Sequence, residues 1–139
     1  MLGPRKLALK KGEIVVSFLF PPRPKGSSDA YLRFIPRTEM DIAVVGTGVS
    51  LSLDAGGTIT AARVSLGAVA ARVLLVAEAA QAIIGSRLDK PAQDRLEAAA
   101  RAACRPIDDK RGTIEFRTDV AAVLTRRTAL IALDRARAN

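Results

Sequence analysis

The chain has no histidine and no tryptophan, one cysteine, one tyrosine and four phenylalanines in 139 residues. Without histidine, the usual general base of serine and cysteine hydrolases and the commonest metal ligand are both missing. Independent catalysis is therefore not expected. A lone Cys104 excludes an intramolecular disulfide and any thiolate cluster for zinc or for iron and sulfur. At the end of an alanine-rich stretch it reads as a small apolar residue; a reactive thiol would need Arg101 or Arg105 to depress its pKa. No apolar run approaches the roughly 20 residues that span a bilayer, and the amino terminus lacks the basic, apolar and small-residue succession of a secretory signal. A soluble, cytoplasmic protein without membrane contact is the expectation.

What is present is 49% hydrophobic but only 4% aromatic, so the core must be built from alanine, valine, leucine and isoleucine packed closely. The length suits one domain. The formal charge of +8 is unevenly spread. Residues 1–40 hold eight Lys/Arg against three Asp/Glu, residues 41–104 six against six, and residues 105–139 eight against five. Basic ends of this kind attract phosphates or an acidic partner surface, or simply keep a protein soluble.

Residues 1–12 lack periodicity and read as a tail or the remnant of a linker, leaving 13–139 as a single domain. In residues 14–20, Ile14, Val16, Phe18 and Phe20 alternate with Val15, Ser17 and Leu19, which predicts a strand ended by Pro21-Pro22. Residues 21–29 read as a loop, and residues 30–35 as a second strand pairing with the first. From 42 to 53, Ala43, Val45, Val49, Leu51 and Leu53 share one face and Gly46, Gly48, Ser50 and Ser52 the other. The first face should lie under helices. Asp54-Ala55-Gly56-Gly57 predicts a turn, with residues 58–66 returning antiparallel; their apolar phase slips between Ile59 and Ala62, which predicts a bulge. Gly56-Gly57-Thr58 is no phosphate loop, because it joins two strands and lacks the Gly-Lys-Ser/Thr sequence.

The second half reads as helical. A helix over 74–84 should stop at Gly85, another should run from Asp89 and Pro91 to about Cys104, and a last one should start near Thr113, with Phe116, Val120, Val123, Leu124 and Leu130 as its apolar side. The expected fold class is α+β, a small antiparallel sheet with about three helices packed on one face. Asp109 and Arg111, ahead of the last helix, suit a pair that binds each other or nearby backbone and fixes the turn. Asp108 and Asp109 are adjacent, so their carboxylates diverge and do not form an acid and base couple.

Several segments, taken in order, carry a family resemblance. They are Gly12-Glu13-Ile14 ahead of Pro21-Pro22, Ala30-Tyr31 with Arg33 and Arg37, and Asp41-Ile42-Ala43-Val44-Val45. Ala62-Arg63-Val64-Ser65-Leu66-Gly67 follows, and Asp109-Lys110-Arg111-Gly112-Thr113 with Phe116-Arg117 closes the series. Residues 13–131 thus resemble the C-terminal domain of the FAD-binding (medium) subunit of the molybdenum hydroxylases, the carbon monoxide dehydrogenase and xanthine dehydrogenase family. The resemblance implies an electron-transfer flavoprotein of an oxidoreductase, with FAD held chiefly by upstream FAD-binding domains and no FAD expected on this chain alone. It implies molybdenum-cofactor and iron-sulfur subunits as partners. It places Arg33, where relatives often carry lysine, and Arg37 near the flavin as cofactor-binding residues, where a cation would favour the more negative redox state. The residues themselves also allow both arginines to be solvated strand-end charges.

Two alternatives stand beside this expectation. One is a basic nucleic-acid-binding module, which the few aromatic rings disfavour. The other is a free-standing protein-interaction domain that docks through its helices.

Overall fold

The computed structural model describes residues 2–38 and 40–139. Two hairpin strands rich in alternating apolar residues form its centre. In chain order the elements are β1 (Ser27–Phe34), β2 (Val45–Leu53), β3 (Ile59–Gly67), β4 (Leu74–Leu75), α1 (Ala77–Gln81), α2 (Lys90–Ala103) and α3 (Ile114–Arg137). The four strands pair antiparallel in the order β1-β2-β3-β4. The expected turn closes the β2–β3 hairpin, with Gly57 at φ +80°, a conformation that costs glycine least. The expected bulge is there too: Ser52 pairs with Ala61, but Leu53 pairs with Ile59.

The α+β expectation holds, with all three helices on one face. α3 lies across β1 and β2, α2 packs on α3, and α1 covers β3. Beneath them Val45, Val49, Leu51, Val64 and Leu66 are buried, as are Ile83 and Leu96. Both long helices begin where the sequence says. Asp89 accepts a hydrogen bond from the Ala92 amide at 3.3 Å, with Pro91 in the first turn of α2, and Thr113 Oγ1 accepts from the Phe116 amide at 3.1 Å.

Three expectations fail for physical reasons. Residues 14–20 form no strand of this sheet; β1 pairs with β2 instead. The outer edge of β1 is partly taken by the end of α3, where Arg135 Nη1 donates to the Asp29 carbonyl at 3.0 Å and Asn139 Nδ2 to the Ser27 carbonyl at 3.1 Å. The stretch read as a loop over 21–29 also gives its last three residues to β1. Second, the helix expected over 74–84 shrinks to α1. Leu74 and Leu75 pair with Leu66 and Ser65 as β4, and after α1 the chain turns back through Gly85, whose amide donates to the Ile59 carbonyl at 2.8 Å. Third, the face of α3 that meets the sheet is made of small residues, Ala121, Ala122, Thr125, Thr128, Ala129 and Ala132. Thr128 Oγ1 even hydrogen-bonds Thr47 Oγ1 of β2 at 2.6 Å, a backbone approach that bulky residues would prevent. Of the expected apolar side, Val120, Leu124 and Leu130 are partly buried and pack against this core, whereas Phe116 is exposed and Val123 lies on the flank.

Candidate functional site

Among the described residues no helix covers the opposite face of the sheet, which is open around Tyr31 and bordered at its other end by residues 20–24 beside Ser50, Ser52, Ala61 and Arg63. Its residues are Ser27, Asp29, Tyr31 and Arg33 on β1, Gly46, Gly48, Ser50 and Ser52 on β2, and Ala61, Arg63 and Ser65 on β3. Tyr31 lies opposite Gly48 and Arg33 opposite Gly46 in the β1–β2 register. The glycines leave room for the Tyr31 ring, because a Cβ on Gly46 would stand 2.7 Å from the phenol oxygen. The phenol ring, 64% exposed, therefore lies across a glycine shelf with the exposed Arg33 beside it. Among the described residues no carboxylate pairs with Arg33.

Arg37 sits apart from that face, in the loop between β1 and β2. Its Nε donates to Asp41 Oδ2 at 3.3 Å and its Nη2 to the Met40 carbonyl at 3.3 Å. Asp41 opens a ladder of alternating charges. Its side chain is 4% exposed, and its Oδ1 accepts from the Ile42 amide at 2.8 Å and lies 3.6 Å from Arg111 Nε. Arg111 in turn is 3.9 Å from Asp109, whose Oδ1 accepts from Arg117 Nη2 at 2.6 Å and from the Arg111 amide at 2.7 Å. Arg117, buried in α3, ends the ladder by donating through Nη1 to the Val44 carbonyl at 3.0 Å.

Opposed effects set the acidity of both aspartates. Burial alone would raise Asp41, but the Ile42 amide, Arg37 and Arg111 together outweigh it and hold the carboxyl below its ordinary value. The Arg111 amide and then the Arg117 guanidinium lower Asp109. The ladder is thus kept ionised and joins the β1–β2 loop to the start of α3.

Asp109 and Arg111 do fix the turn before α3, as expected, although the stronger partner of Asp109 is Arg117. Asp108 accepts from the Ile114 amide at 2.5 Å and caps α3, so the two adjacent carboxylates serve separate backbone sites. Among the described residues no cluster of histidine, cysteine or carboxylate residues suits a metal. Cys104 is buried with Sγ directed to the Ala100 carbonyl at 3.2 Å; burial raises its pKa, and Arg105 and Arg101 only partly counter this. It is an inert core residue.

The residues present fit one part of FAD and not another. A flat glycine-backed face with a phenol ring and a cation suits the edge of a ring system. The diphosphate has no such cradle in the Gly56-Gly57 turn, where Asp54 Oδ1 already accepts from the Gly56 and Thr58 amides, both at 2.9 Å. Sequence reading missed Tyr31 as a site residue, and missed Asp41 and Arg117 as supports. The signal for Tyr31 was the pair of glycines two apart on a neighbouring strand, visible only once β1 is aligned with β2.

Known proteins share this architecture. A family described as the CO dehydrogenase flavoprotein C-terminal domain matches residues 30–132. The chain is 36% identical over 131 residues to a carbon monoxide dehydrogenase medium chain of Afipia carboxidovorans, covering 94% of this chain and 43% of that one. It is 27% identical over 126 residues to a xanthine dehydrogenase FAD-binding subunit of Escherichia coli, covering 90% and 43%. Among solved structures, the carbon monoxide dehydrogenase of Hydrogenophaga pseudoflava that lacks the Mo-pyranopterin moiety superposes with a TM-score of 0.90 at 30% identity, over 96% of this chain and 46% of that one. The chain therefore spans less than half the length of these relatives. All three are dehydrogenase chains, and the nucleic-acid-binding alternative finds no support in them. The continuous match in sequence and in fold shows that the chain belongs to the CO dehydrogenase flavoprotein C-terminal domain family.

Proposed function

We propose that the chain serves as the C-terminal domain of the FAD-binding subunit of a molybdenum hydroxylase, closing over the flavin with the helix-free face of its sheet. The observation that carries this reading is the exposed Arg33 beside the Tyr31 ring on the Gly46 and Gly48 shelf. Bound FAD would supply the electron-carrying chemistry. The chain supplies a flat surface, a ring, and a positive charge that favours the more negative redox state. Arg37 contributes more weakly, as a cation at the end of the ladder whose hydrogen bonds hold the loop following β1. Upstream FAD-binding domains would cradle the diphosphate, and molybdenum-cofactor and iron-sulfur subunits would complete the enzyme. No helix of the described residues is long and apolar enough to cross a membrane, and a cytoplasmic setting is part of the same proposal.

Flavin titration tests the partial site. The chain alone, at micromolar concentration, should stay colourless and leave FAD fluorescence unquenched. Stoichiometric binding of FAD by the chain alone would contradict a site that needs another domain.

A further inference from the structure

The helix-free face of the sheet holds a second feature, a cleft of about 590 Å³ between the strands and residues 20–24. That volume is within the range of small-ligand sites. One wall is apolar, built by the exposed Phe20 ring with Pro21, Pro22 and Pro24. The floor is polar and consists of two cross-strand rows, Asp29, Ser50 and Arg63 in one and Ser27, Ser52 and Ala61 in the next. Two of these groups are already satisfied. The Asp29 carboxylate pairs with Arg23 Nη2 at 2.8 Å, and the Ser27 hydroxyl donates to the Pro24 carbonyl. Among the described residues the Arg63 guanidinium pairs with no carboxylate, and neither it nor the Ser50 and Ser52 hydroxyls have a hydrogen-bond partner. Two arginines against one aspartate leave the cleft net positive, and the excess sits at Arg63.

We propose that this cleft binds a nucleotide by its terminal phosphate, with Arg63, Ser50 and Ser52 as the phosphate's partners. Arg63 stands directly opposite Ser50, and cross-strand neighbours have Cβ atoms about 5 Å apart, so guanidinium and hydroxyls converge on one group. A terminal phosphate has three free oxygens, which match the fork of an arginine and two hydroxyl donors. A phosphate alone would leave most of the cleft empty. The Phe20 ring and the proline wall offer the apolar surface against which a base stacks. The Asp29 carboxylate, which would repel the phosphate, is held by Arg23, which also donates to Ser28 Oγ at 3.3 Å. FAD has both phosphates inside its diphosphate bridge and therefore no terminal one, so it is not the ligand of this cleft. Ser50 also lies four residues along β2 from Gly46, about 13 Å, which separates the cleft from the Tyr31 and Arg33 surface. The inference thus stands apart from the flavin reading.

The test is an NMR titration of the nitrogen-15-labelled chain with AMP, inorganic phosphate and adenosine in turn, at about 0.1 M salt so that distant charges are screened. AMP should shift the amide signals of Ser50, Ser52 and Arg63 and bind roughly 10-fold or more tightly than inorganic phosphate, whereas adenosine should leave them in place. Arg63→Ala should weaken AMP binding by roughly 10-fold, and Ser50→Ala with Ser52→Ala by several-fold. Arg72→Ala, which removes an exposed charge from the loop between β3 and β4, should not change it. None of these side chains holds the fold together, so every variant should melt at the wild-type temperature. Equal affinity for inorganic phosphate and AMP would make this a free-phosphate site and overturn the nucleotide. Absence of shifts with AMP, or Arg72→Ala weakening AMP as much as Arg63→Ala, would overturn the cleft as a site and leave only the attraction of a basic protein for anions.

Discussion

The two faces of the sheet come from the same three long strands and are opposite in character. On the inner face Val45, Val49, Leu51, Val64 and Leu66 are sealed under helices by side chains small enough for close approach. On the outer face Gly46, Gly48, Ser50, Ser52 and Ser65 leave a shallow surface that carries one ring, two arginines, Arg33 and Arg63, and the carboxylate of Asp29, which Arg23 engages. A sheet that merely faced water would have no need of two glycines at alternate positions, since glycine weakens a strand interior. The difference teaches that the inner face holds the fold and that the outer face is shaped for something that approaches it.

Breaking the inner face should have the largest effect. Leu66→Ala, at a fully buried site in β3, should destabilise the protein by about 3 kcal/mol in urea denaturation. A loss under about 1 kcal/mol would mean that this face is loosely packed. Next comes the ladder that ties the two halves of the chain together. Arg117→Met keeps the stem but strands the Asp109 carboxylate and the Val44 carbonyl without their donor, for a loss on the order of 2 kcal/mol. An unchanged urea midpoint would remove the ladder from the account.

The same ladder predicts an acid limb of stability. Asp41 and Asp109 are both lowered in the folded protein from an ordinary 3.8, so the unfolded chain takes up protons first as pH falls. Their stabilisation is present in full above about pH 5 and is lost progressively below about pH 4 as the pH passes through the unfolded and then the depressed folded values. Asp109→Asn should be less stable at pH 7 and show a flatter decline in melting temperature between pH 5 and pH 3. An equally steep decline would assign the acid limb to other carboxylates.

The outer face should tolerate change. Gly46→Ala puts a Cβ against the flexible tip of Tyr31, so the ring should tip away at a cost under about 1 kcal/mol. Tyr31 is the only tyrosine and there is no tryptophan, so intrinsic fluorescence reports that ring directly. A spectrum identical to wild type would show that the ring does not rest on the shelf.

Legibility in the sequence followed the range of the interactions. The hairpin with its bulge, the Asp89 and Thr113 caps and the burial of Cys104 were readable because turn chemistry and alternation act over a few residues. Residues 14–20 alternate like a strand but form none here, because the partner that completes a strand is not written in its own alternation. The alanine and threonine face of α3 is not legible because those residues give a weak apolar signal; the stronger signals of Val120, Leu124 and Leu130 do mark residues that pack on the core, while Phe116 is exposed. Proximity in sequence links Asp109 to Arg111; its closer partner Arg117 is one turn into the helix, a choice made by tertiary packing. The motif groups Arg33 with Arg37, and the structure separates them into an exposed strand residue and a loop residue engaged with Asp41.

The central claim is that the outer face meets the flavin at Arg33. It is tested most directly by redox titration of the FAD-loaded flavoprotein carrying this domain, comparing Arg33→Ala with Arg63→Ala at matched salt. Arg63 shares the face but pairs with Ser50, four residues along β2 from the Gly46 partner of Arg33, or about 13 Å away. Arg33→Ala should lower the flavin potential by roughly 10 to 40 mV, and Arg63→Ala should shift it by a smaller amount, with FAD content retained in both. Potentials for Arg33→Ala that match the parent, or a larger shift for Arg63→Ala, would contradict it.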